Sequence, residues 1–373
     1  MDKVKILRFI DNKIFVIAVA VLLLFKGFFR NKNANKKLLF IRLWGLGDAI
    51  CTLPTLKRLG EEGYSVDVLT TSEVSSVFSV QSFVHNIFLL DYSKPFSVFR
   101  LISSLRKENY EVIIDSEQFM NVSTILGLFA GAKTYIGYNH KLRSRLYNKR
   151  LEYIDSQHFV HNFFSLTAFL NLNNGNHPYE LVPLFYPDNA RAAVDKILNE
   201  LPSGKLVGIH MGSGGTALGR RWDTKNFLEV ALAITEYNPE ATIVFTGIKN
   251  EQKLLNDIIT DLPKGRFVNT IGKLSKEEFI YLLTKLDLFI CNDTGPMHMS
   301  AAMGTETFGL FGMNHPNKVG PFPCVKHETF YHNPFCNPII DNKYSIYPAD
   351  DQSTIDLIKP SEVIDKALPL LRK

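Results

Sequence analysis

Between Asp287 and Gly312 the chain reads D-L-F-I-C-N-D-T-G-P-M-H-M-S-A-A-M-G-T-E-T-F-G-L-F-G, and no other stretch restricts the fold as much. Leu286, Leu288, Phe289 and Ile290 form an apolar run of strand length, and Asn292-Asp293-Thr294-Gly295-Pro296 then carries turn and helix-start chemistry. Asp293 or Thr294 suits the N-cap and Pro296 the first helical turn; Met297, His298, Ser300, Ala301 and Ala302 continue the helix until Gly304 ends it. A second apolar run, Thr307 to Phe311, follows at once. A strand–turn–helix–strand unit of this kind puts a positive helix end and free backbone N–H groups at the carboxyl edge of a parallel sheet, where anions bind. A phosphate-bearing ligand is expected there.

The rest of the body keeps the same rhythm. Lys37 opens L-L-F-I-R-L, a run without alternation that suits a strand buried on both faces, and further strands are expected at Ser65–Thr70, Asn86–Leu90, Glu111–Asp115 and Thr134–Tyr138. After an Asn-rich linker, 171–177, a second set begins at Lys205–His210 and continues through A-T-I-V-F-T-G, F-V-N-T-I, L-F-I-C-N and F-G-L-F-G. Amphipathic helices such as Asn226–Tyr237 and Gln252–Thr260 lie between. The expected fold class is α/β, with two Rossmann-like doubly wound domains over 37–177 and 178–360. A final helix, 361–373, capped by Ser361, is expected to pack back on the first domain.

The charge is localised. Of a formal +5 over 373 residues, Met1 to Lys37 holds nine Lys/Arg against two Asp, or +7, leaving −2 for the body. A nucleic-acid-binding body is therefore disfavoured, and the basicity belongs to a tail beside an apolar segment. That segment, Ile14 to Phe25, is twelve apolar residues long and reaches sixteen with Lys26-Gly27-Phe28-Phe29. A comfortable span wants about 20. Basic residues flank both ends, which removes the asymmetry that orients a span. An in-plane or re-entrant anchor within residues 1–36 on an anionic leaflet accounts for both facts; a true span, a buried helix and a cleaved signal are the alternatives, the last lacking a small-residue cleavage site. Cys51, Cys291, Cys324 and Cys336 show no paired metal spacing, which fits a reducing compartment, and ragged His327 and His332 add no zinc pattern.

Gly45-Leu46-Gly47-Asp48 after the first strand invites a dinucleotide reading, but Ile50 stands where the third glycine is needed, so nicotinamide binding is disfavoured. Asp48 is either a helix cap or a general base. In H-M-G-S-G-G-T-A-L-G-R-R-W-D the residues Ser213, Gly214 and Thr216 supply unhindered N–H groups and hydroxyls, and Arg220 and Arg221 supply fixed donors for a diphosphate. No G-x-x-x-x-G-K-[ST] occurs, which argues against a P-loop enzyme. Lys141, Arg143, Arg145, Lys149 and Arg150 make an acid-free segment that is either a solvated face or a receiver for an acidic acceptor.

Together these motifs resemble glycosyltransferase family 9, the heptosyltransferases of lipopolysaccharide core assembly. I-R-L-W-G-L-G-D-A-I-C-T-L-P-T-L matches the family's opening strand, S-x-G-D turn and helix. H-M-G-S-G and R-R-W-D match its H-P-G loop and K-R-W-P segment, H-F-V-H-N-F-F-S-L its helix before the linker, and Asn292–Gly304 its N-D-S/T-G-P-M-H segment. The resemblance runs from about Leu38 to the C-terminus and implies a GT-B architecture, with acceptor on the first domain and nucleotide-sugar donor on the second.

It also implies inverting transfer without a metal or other cofactor, at the cytoplasmic face of the bacterial inner membrane, onto a lipid-linked glycan. Asp48 is then the base, Gly47, Lys141, Arg143 and Arg145 lie on the acceptor side, and Arg220 with Ser213, Gly214, Thr216, Arg221, Thr294 and Gly295 holds the diphosphate. Asp293 contacts sugar or ribose hydroxyls, His298 supports the phosphate site, and Glu251 holds ribose. A helix start favours the carboxylate form of Asp48, so a role as base rests mainly on positioning. The chain departs from the pattern at Trp44-Gly45, Met211, Arg220 and Asp223.

Overall fold

The structure is a computed structural model that describes residues 9–29, 35–94, 96–172, 180–214, 218–323, 326–332 and 354–372. Thr216, Cys324 and Cys336 lie outside the described residues. The chain divides into two compact units, Met1–Tyr179 and Glu180–Lys373.

The first unit starts with a π-helical turn, Asp11–Phe15, that runs into α1 (Val16–Leu22) and a 3-10 turn, Lys26–Phe29. Then follow β1 (Lys37–Ile41), α2 (Leu46–Glu61), β2 (Ser65–Thr70), β3 (Val84–Leu89), α3 (Ser97–Lys107), β4 (Val112–Asp115), α4 (Asn121–Ala130), β5 (Thr134–Tyr138), β6 (Lys149–Leu151) and α5 (Phe159–Ser165). The strands form one parallel sheet in the order β3-β2-β1-β4-β5-β6. Leu38 to Ile41 are fully buried, as the unbroken apolar run requires of a central strand covered on both faces. The chain leaves β1 toward β2 and β3 and resumes on its other side at β4, so the topological switch lies between β1 and β4.

The second unit repeats the plan with α6 (Asp188–Leu198), β7 (Leu206–His210), α7 (Thr224–Tyr237), β8 (Thr242–Thr246), α8 (Gln252–Asn256), β9 (Phe267–Asn269), α9 (Lys276–Leu283), β10 (Leu288–Asn292), α10 (Gly295–Ala302), β11 (Thr307–Phe311), α11 (Pro316–Val319), β12 (Glu328–Tyr331) and α12 (Pro360–Leu370). Its sheet order is β12-β11-β10-β7-β8-β9, again all parallel, with the switch between β7 and β10.

Two expectations are corrected. The C-terminal helix belongs to the second unit: Val363, Ala367 and Leu371 are buried in that unit's core, α12 packs on α7, and Asn238 Nδ2 donates to Leu371 O at 2.9 Å. Its cap is Lys359 rather than Ser361, with Pro360 opening the helix and Glu362 Oε1 accepting the Lys359 N–H at 2.8 Å. Of the N-terminal segment, the described residues 9–29 are built into the first unit. Val19 belongs to the first unit's core, and Phe15, Leu22, Leu23 and Phe29 pack against it. No helix among the described residues is long and apolar enough to cross a membrane.

Candidate functional site

Both switch points collect polar side chains at the carboxyl ends of the strands. In the second unit the organiser is Asn292, the last residue of β10. Its amide donates to Met211 O at 2.9 Å and Gly212 O at 3.1 Å, and its Oδ1 accepts the Trp222 N–H at 3.0 Å. One buried side chain thus ties the loop after β7 to the R-R-W segment. Trp222 is itself fully buried, its indole N–H donating to Ile358 O at 3.1 Å. Asp223, in place of the family's proline, caps α7 by accepting the Lys225 N–H at 2.9 Å.

Arg220, held next to that anchor, approaches Asp293 twice: its Nη1 is 3.4 Å from the backbone oxygen and 3.4 Å from Oδ2. Asp293 Oδ2 also accepts from Asn314 Nδ2 at 2.6 Å, so the carboxylate is engaged and the N-cap of α10 falls to Thr294. The helix closes as its sequence predicts, with Gly304 at φ +78° and Thr305 N–H donating to Ser300 O at 3.2 Å. Ser213 Oγ and the Arg221 Nε are buried with no hydrogen-bond partner among the described residues. Buried polar atoms are nearly always paired, so these two stand out among the described residues.

Glu251 and His298 frame this cluster. Glu251 is buried; its Oε2 accepts the Ile248 N–H at 2.9 Å and lies 3.9 Å from His210 Nε2. Gly212 is required for this: a Cβ there would sit 1.9 Å from Glu251 Oε1. His298 is buried on the first turns of α10, and burial, with the Arg220 charge nearby, pushes its imidazole down to about 4. It is therefore a neutral group at pH 7 rather than a second cation. Burial likewise lowers His210, opposed by the Glu251 charge.

In the first unit Asp48 lies in the first turn of α2, its side chain 31% exposed, and ion-pairs through Oδ2 with Arg42 Nη2. Gly45, at φ +80°, turns the chain back so closely that a Cβ would meet Asp48 Oδ2 at 2.8 Å. Arg42 is buried; its Nε donates to Trp44 O at 2.9 Å and its Nη1 to Ser116 O at 3.3 Å. Glu117, from the loop after β4, lies 3.7 Å from Arg42 and accepts the Leu43 N–H at 2.7 Å. Burial raises the Glu117 carboxyl against the pull of Arg42. The loops after β1 and β4 are thus stitched together around one buried guanidinium.

The acceptor-side expectation is corrected at Arg143. It is buried 2% exposed, with Nε donating to Thr124 Oγ1 at 2.7 Å, Nη1 to Glu117 O at 2.8 Å, and Nη2 to Asp115 Oδ2 at 2.8 Å and Tyr147 OH at 2.5 Å. Its donors serve the core, not a surface ligand. Lys141 and Arg145 are exposed on either side of it, Gly47 is buried at the start of α2, and Lys149 and Arg150 sit on the edge strand β6. Among the described residues no group of three or more His, Cys, Asp or Glu is placed to hold a metal ion.

Comparison with known proteins gives the arrangement its context. The lipopolysaccharide core heptosyltransferase OpsX of Haemophilus influenzae is 24% identical over 349 residues, covering 91% of this chain and 92% of that protein. The glycosyltransferase family 9 structure from Veillonella parvula superposes with a TM-score of 0.76 at 16% identity, covering 92% and 99% of the two chains. The Escherichia coli heptosyltransferase WaaC with ADP gives 0.67 at 15% identity, covering 90% and 99%. At these identities the structural likeness shows the fold, GT-B with two Rossmann-like units. A family model described as glycosyltransferase family 9 (heptosyltransferase) matches residues 98–334, and the chain belongs to that family.

Proposed function

We propose that the chain is an inverting glycosyltransferase that moves a heptose from ADP-heptose to a hydroxyl of a lipopolysaccharide-core or other lipid-linked glycan acceptor. The observation that carries this reading is the second unit's switch point, where Arg220 reaches Asp293 at the start of α10, with the unpartnered Ser213 Oγ on the loop after β7 and Arg221 Nε next to Arg220 in sequence. Such a cluster suits a diphosphate. The names of the relatives, a lipopolysaccharide core enzyme and a heptosyltransferase with ADP, supply the sugar and the base.

In the reaction Asp48 takes the proton of the acceptor hydroxyl, whose oxygen attacks the anomeric carbon while the bond from that carbon to the diphosphate oxygen breaks. ADP leaves with the bonding pair, and the anomeric centre inverts. A nucleoside diphosphate is already a good leaving group, so it needs charge stabilisation more than protonation, and the guanidinium of Arg220 with the helix end of α10 answers that need without a metal. Glu251 suits the ribose hydroxyls. A lipid-linked acceptor places the work at the cytoplasmic face of the inner membrane. A nucleotide-sugar-binding protein without turnover is the alternative.

Transfer from ADP-, UDP- and GDP-sugars to core-type acceptors, read by mass spectrometry, tests the proposal. ADP-heptose is expected to be used, turnover to survive EDTA, and the product anomer to be inverted by NMR. Asp48→Asn is expected to lower kcat by at least about a hundredfold, as loss of a general base does, with ADP-induced stabilisation kept. Unchanged turnover in folded Asp48→Asn sinks the base assignment, and ADP stabilisation without turnover in the parent favours the non-catalytic alternative.

A further inference from the structure

The helical stretch Asp11–Leu22 is apolar on two opposite faces, and the first unit occupies only one. Asp11 and Val19 are buried, and Phe15 and Leu22 pack against the same core. The Asp11 carboxylate accepts the backbone N–H groups of Asn121 and Val122, each at 2.9 Å, and Asn121 Nδ2 donates to Asp11 O at 3.0 Å. Met120 gives α4 no side-chain cap, so Asp11 caps it instead, a carboxylate at the positive end of a helix. This docking fixes which face looks outward.

That outward face is Ile14, Ile17 and Val21, recurring at spacings of three and four, and Leu24 continues it in the turn after the helix. These side chains are 55%, 67%, 52% and 79% exposed. A continuous apolar stripe left open beside a docked helix marks an interaction surface. The helical residues 9–22 reach about 21 Å, short of a hydrocarbon core of about 30 Å, and one side is already bound to protein, so the segment does not cross a bilayer. Its charges choose the occupant. Lys13 and Lys26 are exposed at the two ends of the stripe, Lys26 Nζ also donating to Arg145 O at 3.1 Å, and the sequence adds Lys3, Lys5 and Arg8 before it and Arg30 and Lys32 after it; Lys37 is on β1 and paired with Glu108 and is not part of this set. Asp11, the segment's acid within the helix, is consumed inside. A second copy would bring two such basic segments together, whereas anionic headgroups neutralise them.

We propose that the Ile14–Leu24 face lies in the headgroup–acyl boundary of an anionic bilayer and holds the first unit to the membrane through a helix lying in its plane. The face brings the first unit to a lipid-linked acceptor; only that purpose, not the binding, rests on the proposed reaction.

Co-sedimentation of the full chain with phosphatidylcholine vesicles, with and without about 30% phosphatidylglycerol, tests it. The parent is expected to partition at least about tenfold more strongly into the anionic vesicles. Ile17→Glu with Leu24→Glu, and separately Ile17→Ser with Leu24→Ser, are expected to weaken partitioning about a hundredfold, with thermal midpoint and ADP stabilisation kept. Parent-like partitioning of both variants overturns the proposal, as does equal partitioning of the parent into both vesicle types. A parent dimer that the variants split, with no vesicle binding, assigns the face to a second copy and overturns it too. Failure of ADP to stabilise the parent sinks the donor reading and leaves this one standing.

Discussion

Arg42 meets three segments at once: the turn at Trp44, the loop at Ser116 and Glu117, and the carboxylate of Asp48. A planar fork of donors suits that geometry, and an ammonium cannot reproduce it. Arg42→Lys keeps the buried charge, which avoids stranding Glu117, but loses the fork that aims Asp48. The expected outcome is a fall in kcat of about tenfold or more with donor KM unchanged, because positioning errors act on the chemical step. Steady-state kinetics on both substrates check it. His298 makes a second prediction. Its folded value near 4 lies below the unfolded value near 6.5, so between these pH values the unfolded chain holds a proton that the folded one lacks. Stability therefore falls as the pH drops through that window. Between pH 7 and pH 5 the parent should lose about 2 kcal/mol more than His298→Asn in urea titrations. Glu117, raised by burial, contributes with the opposite sign, but equally in both proteins, so the difference isolates His298.

The turn after β10 shows at the level of elements what a sequence reveals and what it conceals. Its strand, helix start and glycine stop are local, and so is the unbroken apolar run of β1; these were legible, as were the bounds of β2 and β5. The edge strands β6 and β12 were not, since Lys149-Arg150-Leu151 and Glu328-Thr329-Phe330-Tyr331 are short and polar, as exposed edges tend to be. The motifs also singled out Arg220, Asp293 and His298, which the fold brings together. Asn292 and Glu117 did not emerge as site residues, because their partners lie about seventy or more positions away and only the sheet register joins them; Arg42 did not either, since its tie to Ser116 and Glu117 is equally remote although Trp44 and Asp48 are near in sequence. Arg143 shows the reverse error: a cation in a basic segment reads as surface, yet the buried Asp115 claims it. The Asn292 hub is testable. Asn292→Ala removes three hydrogen bonds and strands Met211 O, Gly212 O and the Trp222 N–H in a dry interior. The expected cost is about 3 kcal/mol in stability, with weakened ADP binding as the 210–214 loop and Arg220 lose their common anchor. Isothermal titration with ADP and urea unfolding measure the two effects.

At the scale of the whole chain each unit carries a core of its own, one around Leu39, Ile41 and Ile113, the other around Ile209, Trp222 and Ile290. Cores of this size in separate compact units support separate cooperative unfolding. Calorimetry is therefore expected to show two transitions. ADP at a hundred times its dissociation constant should stabilise one of them by about 2.7 kcal/mol. The same transition should be the one lowered by Asn292→Ala, since both act in the second unit. Asp11→Asn should lower the other by about 1 kcal/mol, because burial already raises the Asp11 carboxyl and what the amide loses is one of the two oxygens that accept the Asn121 and Val122 N–H groups. Crossed assignments, with Asp11→Asn lowering the transition that ADP raises, would place the N-terminal helix in the wrong cooperative unit. A single transition moved by all three would mean that the units unfold together, and the proposed donor and membrane sites would then share one stability, so that ADP would strengthen the hold of the helix on the first core.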